Sequence, residues 1–243
     1  MAENGSVGGI TFADEDILSF NTGTGTWALV FDGSDAGMGA NDIDALEMLS
    51  DGSILISLER EQTVASLGQV KDSEVLRFVP TSLGDNTSGT FFRYLDGTDV
   101  GLTTSGEDVD AIASAPDDRP VVRTLGAFYT SVNGDGKDLI VLDNAVLGDP
   151  TSGTWALYFD GTDVGLNDPS EEVKDVWIAA NGDIYLTTSG SFSVPGASGD
   201  AATILICTPI TLGNDTSCTF TVYWSGSANG LAGAQIDGLD IKP

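Results

Sequence analysis

The sequence contains no histidine, and only nine lysines and arginines stand against 37 aspartates and glutamates. The missing imidazole removes Ser-His-Asp and Cys-His catalysis, and histidine ligation of zinc or haem, in one step. A formal charge of −28 repels phosphate backbones and anionic membrane surfaces, so nucleic acid is excluded as a partner. No run of eighteen apolar residues occurs, so no membrane insertion is expected. The first residues, Met1-Ala2-Glu3-Asn4-Gly5, carry neither a basic nor an apolar stretch, so an export signal, if there is one, is expected outside this sequence. Cysteine is nearly absent too, with two residues, Cys207 and Cys218.

What is present is a repeat. The stretch from Ser152 to Leu166 has siblings beginning at Gly25, Gly89 and Cys218, and its Asp-Gly-Ser/Thr-Asp motif starts at Asp32, Asp96, Asp160 and, in altered form, Ser225. Those starts are 64, 64 and 65 residues apart. So regular a period argues for one repeat domain spanning residues 1–243. Each unit holds four short apolar runs, A to D, which in the first unit are residues 43–49, 54–58, 75–79 and 91–95. Asp51-Gly52 and Asn181-Gly182, between A and B, are dipeptides that tolerate the positive φ of a tight hairpin; Pro116-Asp117-Asp118 takes their place in the second unit. Nothing longer reads as helix.

The expectation is therefore an all-β fold: a four-bladed β-propeller with four antiparallel strands per blade. Three blades are expected at 41–95, 107–159 and 171–224. The fourth is assembled from 235–243 as strand A, with residues 4–31 completing it: 4–7 as the A to B turn, 10–12 as B, 17–20 as C and 27–31 as D. Closing a ring in this way removes free sheet edges. A β-solenoid or two packed sheets are the alternatives. Trp27, Phe91, Trp155, Phe220, Tyr158 and Tyr223 are expected to pack between blades, with aromatic platforms for sugars as the other reading; Trp177 has no aromatic counterpart in the other units.

Two sets of carboxylates are candidate metal ligands. The first is the repeated motif, with Asp32 and Asp35, Asp96 and Asp99, and Asp160 and Asp163. It reads either as turn chemistry, with side chains capping the backbone, or as paired oxygen ligands for calcium, the ion that suits hard carboxylates. Ser225-Gly-Ser-Ala-Asn229 keeps the glycine and loses both acids, so the turn is the structural requirement and any ion is an addition. The second set begins the A strands: Asp44, Asp110 and Asp237, with Lys174 at the matching place in the third unit, forming a ring at the mouth of a central channel. Acids gathered on one rim repel unless neutralised or hydrated.

The positions matching Cys207 hold Phe20, Phe78 and Leu142, and those matching Cys218 hold Gly25, Gly89 and Gly153. Two cysteines appearing together at facing ends of one C to D hairpin predict a disulfide rather than a redox pair, and with it an oxidising, extracellular setting; two free thiols are the alternative.

The repeats Trp155-Ala-Leu-Tyr-Phe-Asp-Gly-Thr-Asp-Val-Gly-Leu and Asn181-Gly-Asp-Ile-Tyr-Leu-Thr-Thr resemble uncharacterised repeat regions of secreted or cell-surface bacterial proteins. The resemblance implies export and attachment to larger surface proteins, and transfers no activity and no functional residue. The blade count is similar to that of hemopexin-like domains, whose motifs are not found here. The expected function is a non-enzymatic extracellular module with a calcium-binding acidic face, serving interaction or surface assembly with a protein or glycan partner. A carbohydrate-active hydrolase using two carboxylates is the alternative, and an inert spacer a third reading.

Overall fold

Short apolar runs broken by turn residues leave little room for helix, and the computed structural model, which describes residues 4–39 and 41–242, is built of strands. Residues 1 and 243, the outer bounds expected for the domain and for its closing segment, lie outside the described residues. The chain opens with two hairpins, β1 (Gly5–Val7) with β2 (Ile10–Phe12) and β3 (Ile17–Asn21) with β4 (Thr26–Phe31). The first full unit follows as β5 (Ile43–Met48), β6 (Ile54–Leu58), a small hairpin of β7 (Gln62–Val64) and β8 (Gly68–Val70), then β9 (Glu74–Ser82) and β10 (Ser88–Asp96). The second contains β11 (Val109–Ser114), β12 (Pro120–Thr124), the hairpin β13 (Phe128–Tyr129) and β14 (Asn133–Gly134), β15 (Leu139–Val146) and β16 (Ser152–Phe159). The third contains β17 (Val173–Ile178), β18 (Ile184–Thr188), the hairpin β19 (Phe192–Val194) and β20 (Ala197–Gly199), β21 (Thr203–Thr211) and β22 (Ser217–Ser225).

Among the described residues these make three antiparallel sheets of four strands, each ordered A-B-C-D across the sheet. The Asp-Gly and Asn-Gly turns behave as their chemistry dictates, with Gly52 at φ 85° and Gly182 at φ 89°. The apolar core lies between successive sheets rather than on one face, which is why the strands read as continuous apolar runs. Leu55, Val75 and Leu95 of the first unit cluster with Ile112, Val122 and Ile140 of the second. Val121 and Val141 of the second cluster with Val176, Ile184 and Leu205 of the third. Ile17 and Phe31 of the N-terminal hairpin join Ile43, Ile54 and Phe78. Residues 235–242 have no assigned strand, but Ile236 and Leu239 are buried with Val7, Ile204 and Leu231.

The N-terminal segment corrects one expectation. Residues 4–7 are not the A to B turn, and residues 10–12 are not strand B; they pair with each other as β1 and β2. That hairpin is the counterpart of β7–β8, β13–β14 and β19–β20. Its tip shows the equivalence: Gly8 lies against Trp27 of β4, as Gly196 lies against Phe220 of β22, and both Gly230 and Gly165 of the preceding turns touch the tip that follows them. A small hairpin follows strand B in each of the three complete sheets' units, and residues 5–12 form its N-terminal copy. Strand B of the fourth unit is consequently not supplied by residues 4–31, and β3–β4 is a two-stranded sheet.

The aromatics divide. Phe91, Trp155, Phe220 and Tyr158 are buried, Trp27 is half-buried, and Tyr223 is exposed. Trp177 stacks edge-on against Tyr185, with ring centres 5.1 Å apart, and Tyr185 against Tyr223 at 5.0 Å. Cys207 and Cys218 form the expected disulfide across the β21–β22 hairpin, with Cα atoms 5.3 Å apart.

Candidate functional site

The Asp-Gly-Thr-Asp motif closes strand D and reaches into the next unit. Within its own turn the first carboxylate accepts from the backbone: Asp96 from the Thr98 amide at 3.0 Å, Asp160 from the Thr162 and Asp163 amides at 3.0 and 3.2 Å, and Asp32 from the Asp35 amide at 3.2 Å. In the second and third copies the second acid also bridges units, with Asp99 accepting from the Thr151 amide at 2.8 Å and Asp163 from the Thr216 amide at 2.9 Å. In return the amides of Asp32, Asp96 and Asp160 donate to the hydroxyls of Thr87, Thr151 and Thr216. Beside them Gly84, Gly148 and Gly213 donate to the Val30, Tyr94 and Tyr158 carbonyls. Each copy is thus a latch from one unit's outer strand to the next unit's C to D hairpin. The fourth copy abuts the β3–β4 hairpin, where Trp224 lies 5.3 Å from Phe20, and that hairpin's short turn lacks the Leu-Gly-x-x-Thr of its sisters. Both halves of the latch are altered together, which accounts for the lost acids at Ser225.

Asp96 and Asp99 also lie with Asp149 in a partly exposed group of three carboxylates, and Arg93 reaches Asp149 at 3.1 Å. Asp32, Asp35, Asp160 and Asp163 belong to no such group among the described residues.

The start of the A strands is different. Asp44, Asp108 and Asp110 are all buried and present carboxylate oxygens within 4.8 Å of one another. Asp108 lies just ahead of β11 and Asp110 within it, where the register with β12 shifts between Val109 and Ala111, and Asp42 and Asp44 stand in the same way at the start of β5, with a shift between Ile43 and Ala45. Lys174 approaches Asp110 at 3.3 Å and Asp44 at 3.5 Å. Arg123, buried on β12, pairs with Asp110 and donates to the Gly136 and Leu125 carbonyls at 3.0 and 3.1 Å. Asp175 accepts from the Leu239 amide, and Asp240 from the Met48 amide at 3.2 Å, so residues 235–242 are tied to both β17 and β5. Asp237 lies outside the group of three but acts on Asp42 and Asp44 through its charge.

Six carboxylates (Asp42, Asp44, Asp108, Asp110, Asp175, Asp237) therefore share this interior with two cations, Lys174 and Arg123. Burial raises Asp108 to about 9, reinforced by the charges of Asp110 and Asp44. Burial and then Asp237 bring Asp42 to about 8, and burial and then Asp110 bring Asp44 to about 7. Asp175, completely buried, is pushed well above the carboxylate range by desolvation. Burial pulls Lys174 down, but Asp110 and Asp44 outweigh it and the ammonium is held above its ordinary value. One oxygen each of Asp42, Asp108, Asp110 and Asp175 is buried without a hydrogen-bond partner. An unpaired buried carboxylate oxygen is expensive, so this many in one place requires protons or a cation.

Sequence reasoning placed Asp44, Asp110, Asp237 and Lys174 together at the channel and missed Asp108, Asp175 and Arg123 as its partners. Arg123 was not legible because strand B carries a hydroxyl at that position in the other complete units, Ser57 and Thr187, and Asp108 lies just ahead of strand A, beyond a register shift that simple alternation does not anticipate. Glu107 and Glu171 accept three backbone amides each and fasten the approach to strand A.

No protein-family model matches the chain, and no curated protein matches it. Among solved structures it is similar to the β-propeller in "YCF48 bound to D1 peptide", at 8% identity and a TM-score of 0.31, over 87% of this chain and 76% of that one. Among the described residues no helix is long and apolar enough to cross a membrane.

Proposed function

We propose that the chain is a closed four-unit propeller whose channel mouth binds a divalent cation, calcium by ligand chemistry, in a non-enzymatic module that works outside the cell. The observation that carries the reading is the group Asp44, Asp108 and Asp110: three buried carboxylates within 4.8 Å, two of them with an oxygen that meets no donor. All-oxygen sites of high negative charge suit calcium, with water completing the six to eight ligands. Ring closure is supported by clusters joining the N-terminal hairpin to the first unit and residues 236–239 to the third. The setting outside the cell is supported by the Cys207–Cys218 disulfide. In this reading Lys174 is a built-in counter-charge that lets the ring fold before the ion arrives, and the cation joins the units at their common axis.

The test is calorimetric titration of calcium into chelator-treated protein, beside Asp108→Asn and Asp110→Asn. One saturable site in the wild type that both variants lose supports the reading. No heat at millimolar calcium, or equal binding by the variants, removes it.

A further inference from the structure

One member of the ring at the channel mouth has the wrong charge for a cation site. Lys174 stands where the other units carry Asp44, Asp110 and Asp237, and its ammonium lies 3.3 Å from Asp110 and 3.5 Å from Asp44. Those are two of the three carboxylates that come within 4.8 Å of one another. Calcium sits about 2.3–2.6 Å from each ligand oxygen, so an ion held by both acids takes the space that the ammonium bridges. Two like charges repel strongly at that range, and one of them must leave.

The two cations here are not equally free to go. The Arg123 side chain is 2% exposed, and besides pairing with Asp110 it donates to the Gly136 and Leu125 carbonyls, both of which its departure would strand. The polar contacts of Lys174 among the described residues are the two carboxylates, at distances longer than the 2.7–2.9 Å or so of a tight charged hydrogen bond. Its stem is flexible, its ammonium is readily hydrated, and its side chain is already 15% exposed. Asp237, the further acid whose charge acts on it, is 0% exposed, so the path to water runs the other way, out of the mouth. We propose that Lys174 is a displaceable, tethered ammonium: calcium takes its place between Asp44 and Asp110 and turns it out to solvent. This movement rests on the cation site proposed above and sets its affinity. An ion that must expel a charge tethered in the same molecule binds weakly, with a Kd between about 0.1 and 1 mM, the range in which a site follows calcium concentration instead of staying loaded.

The sequence has four lysines, Lys71, Lys137, Lys174 and Lys242, so the movement can be read by acetylation with a water-soluble sulfonated ester followed by peptide mass spectrometry. Lys137 is a matched control, its side chain 13% exposed and paired with Asp135 at 3.3 Å. In chelator, Lys174 and Lys137 should both react more slowly than the exposed Lys71 and Lys242. Saturating calcium should speed acetylation of Lys174 by at least about fivefold and leave Lys137 unchanged, with a midpoint at the calorimetric Kd. Lys174→Met, which has no charge to expel, should bind calcium about tenfold or more tighter. Calcium heat with unchanged acetylation of Lys174 overturns the displacement while the cation site stands; an ammonium that stays in place, or slides inward towards Asp237, gives that result. A rise shared by Lys137 reports general loosening and overturns it too, as does equal affinity of a folded Lys174→Met. If that variant does not fold, acetylation of the wild type still decides. No calcium heat in the wild type removes the site and the displacement together.

Discussion

Asp108 lies two residues before Asp110 and within reach of it, so two buried carboxylates meet Asp44, and Lys174 and Arg123 are the cations paired with this group among the described residues. Replacing the Asp108 carboxylate removes both a ligand and the cost of keeping a buried acid protonated above the ordinary carboxylate range. Asp108→Asn should therefore raise the melting temperature of the calcium-free protein at pH 8 and abolish any further rise on adding calcium, as read by circular dichroism. Lys174→Met acts in the opposite sense. It leaves Asp44 and Asp110 without their ammonium, so calcium affinity should rise by about tenfold or more while the calcium-free protein loses stability. Arg123 differs from Lys174, because its guanidinium also holds the Leu125 carbonyl after β12 and the Gly136 carbonyl ahead of β15, and its replacement should destabilise with or without calcium.

At the scale of elements, the latch explains why a four-residue motif is repeated. The hydroxyls of Thr151 and Thr216 each accept from the preceding unit while donating to the Gly148 and Gly213 carbonyls at 2.5 and 2.7 Å. Thr216→Val keeps the shape and removes that hydroxyl, which should cost about 1 kcal/mol in urea unfolding, more if the Asp160 amide is left without a partner. Cys218→Ser, opening an 11-residue separation, should cost about 2–3 kcal/mol by loop entropy. The motif's recurrence made it legible, and its Ser225 copy correctly marked the turn as the constant part. Its partner threonine was not legible as a partner, since Thr87, Thr151 and Thr216 sit 55 or 56 residues away in sequence from the amides they meet. The strands followed from apolar runs and Asn-Gly or Asp-Gly turns. The short hairpins after strand B did not, being two or three residues per strand with only one or two buried side chains. Missing them displaced the reading of residues 4–12 by a whole element.

For the whole molecule, the excess acid has a pH signature. Asp42, Asp44, Asp108 and Asp175 hold their protons to higher pH when folded than when unfolded. Between about pH 4 and pH 9 the folded chain therefore binds more protons, and stability falls as pH rises through that window. These groups contribute fully below the ordinary carboxylate range and lose their contribution as pH passes the raised values near 7, 8 and 9. A bound dication favours the ionised carboxylates and opposes the decline, so calcium uptake should release protons, measurable as a buffer-dependent binding enthalpy. Melting curves at pH 6 and pH 8, each with calcium and with chelator, test the channel site most directly. The account predicts a chelated protein less stable at pH 8 than at pH 6, and a calcium-induced rise of about 5–10 °C at a hundredfold excess over Kd, larger at pH 8. Melting temperatures that coincide with and without millimolar calcium at pH 8 would contradict it.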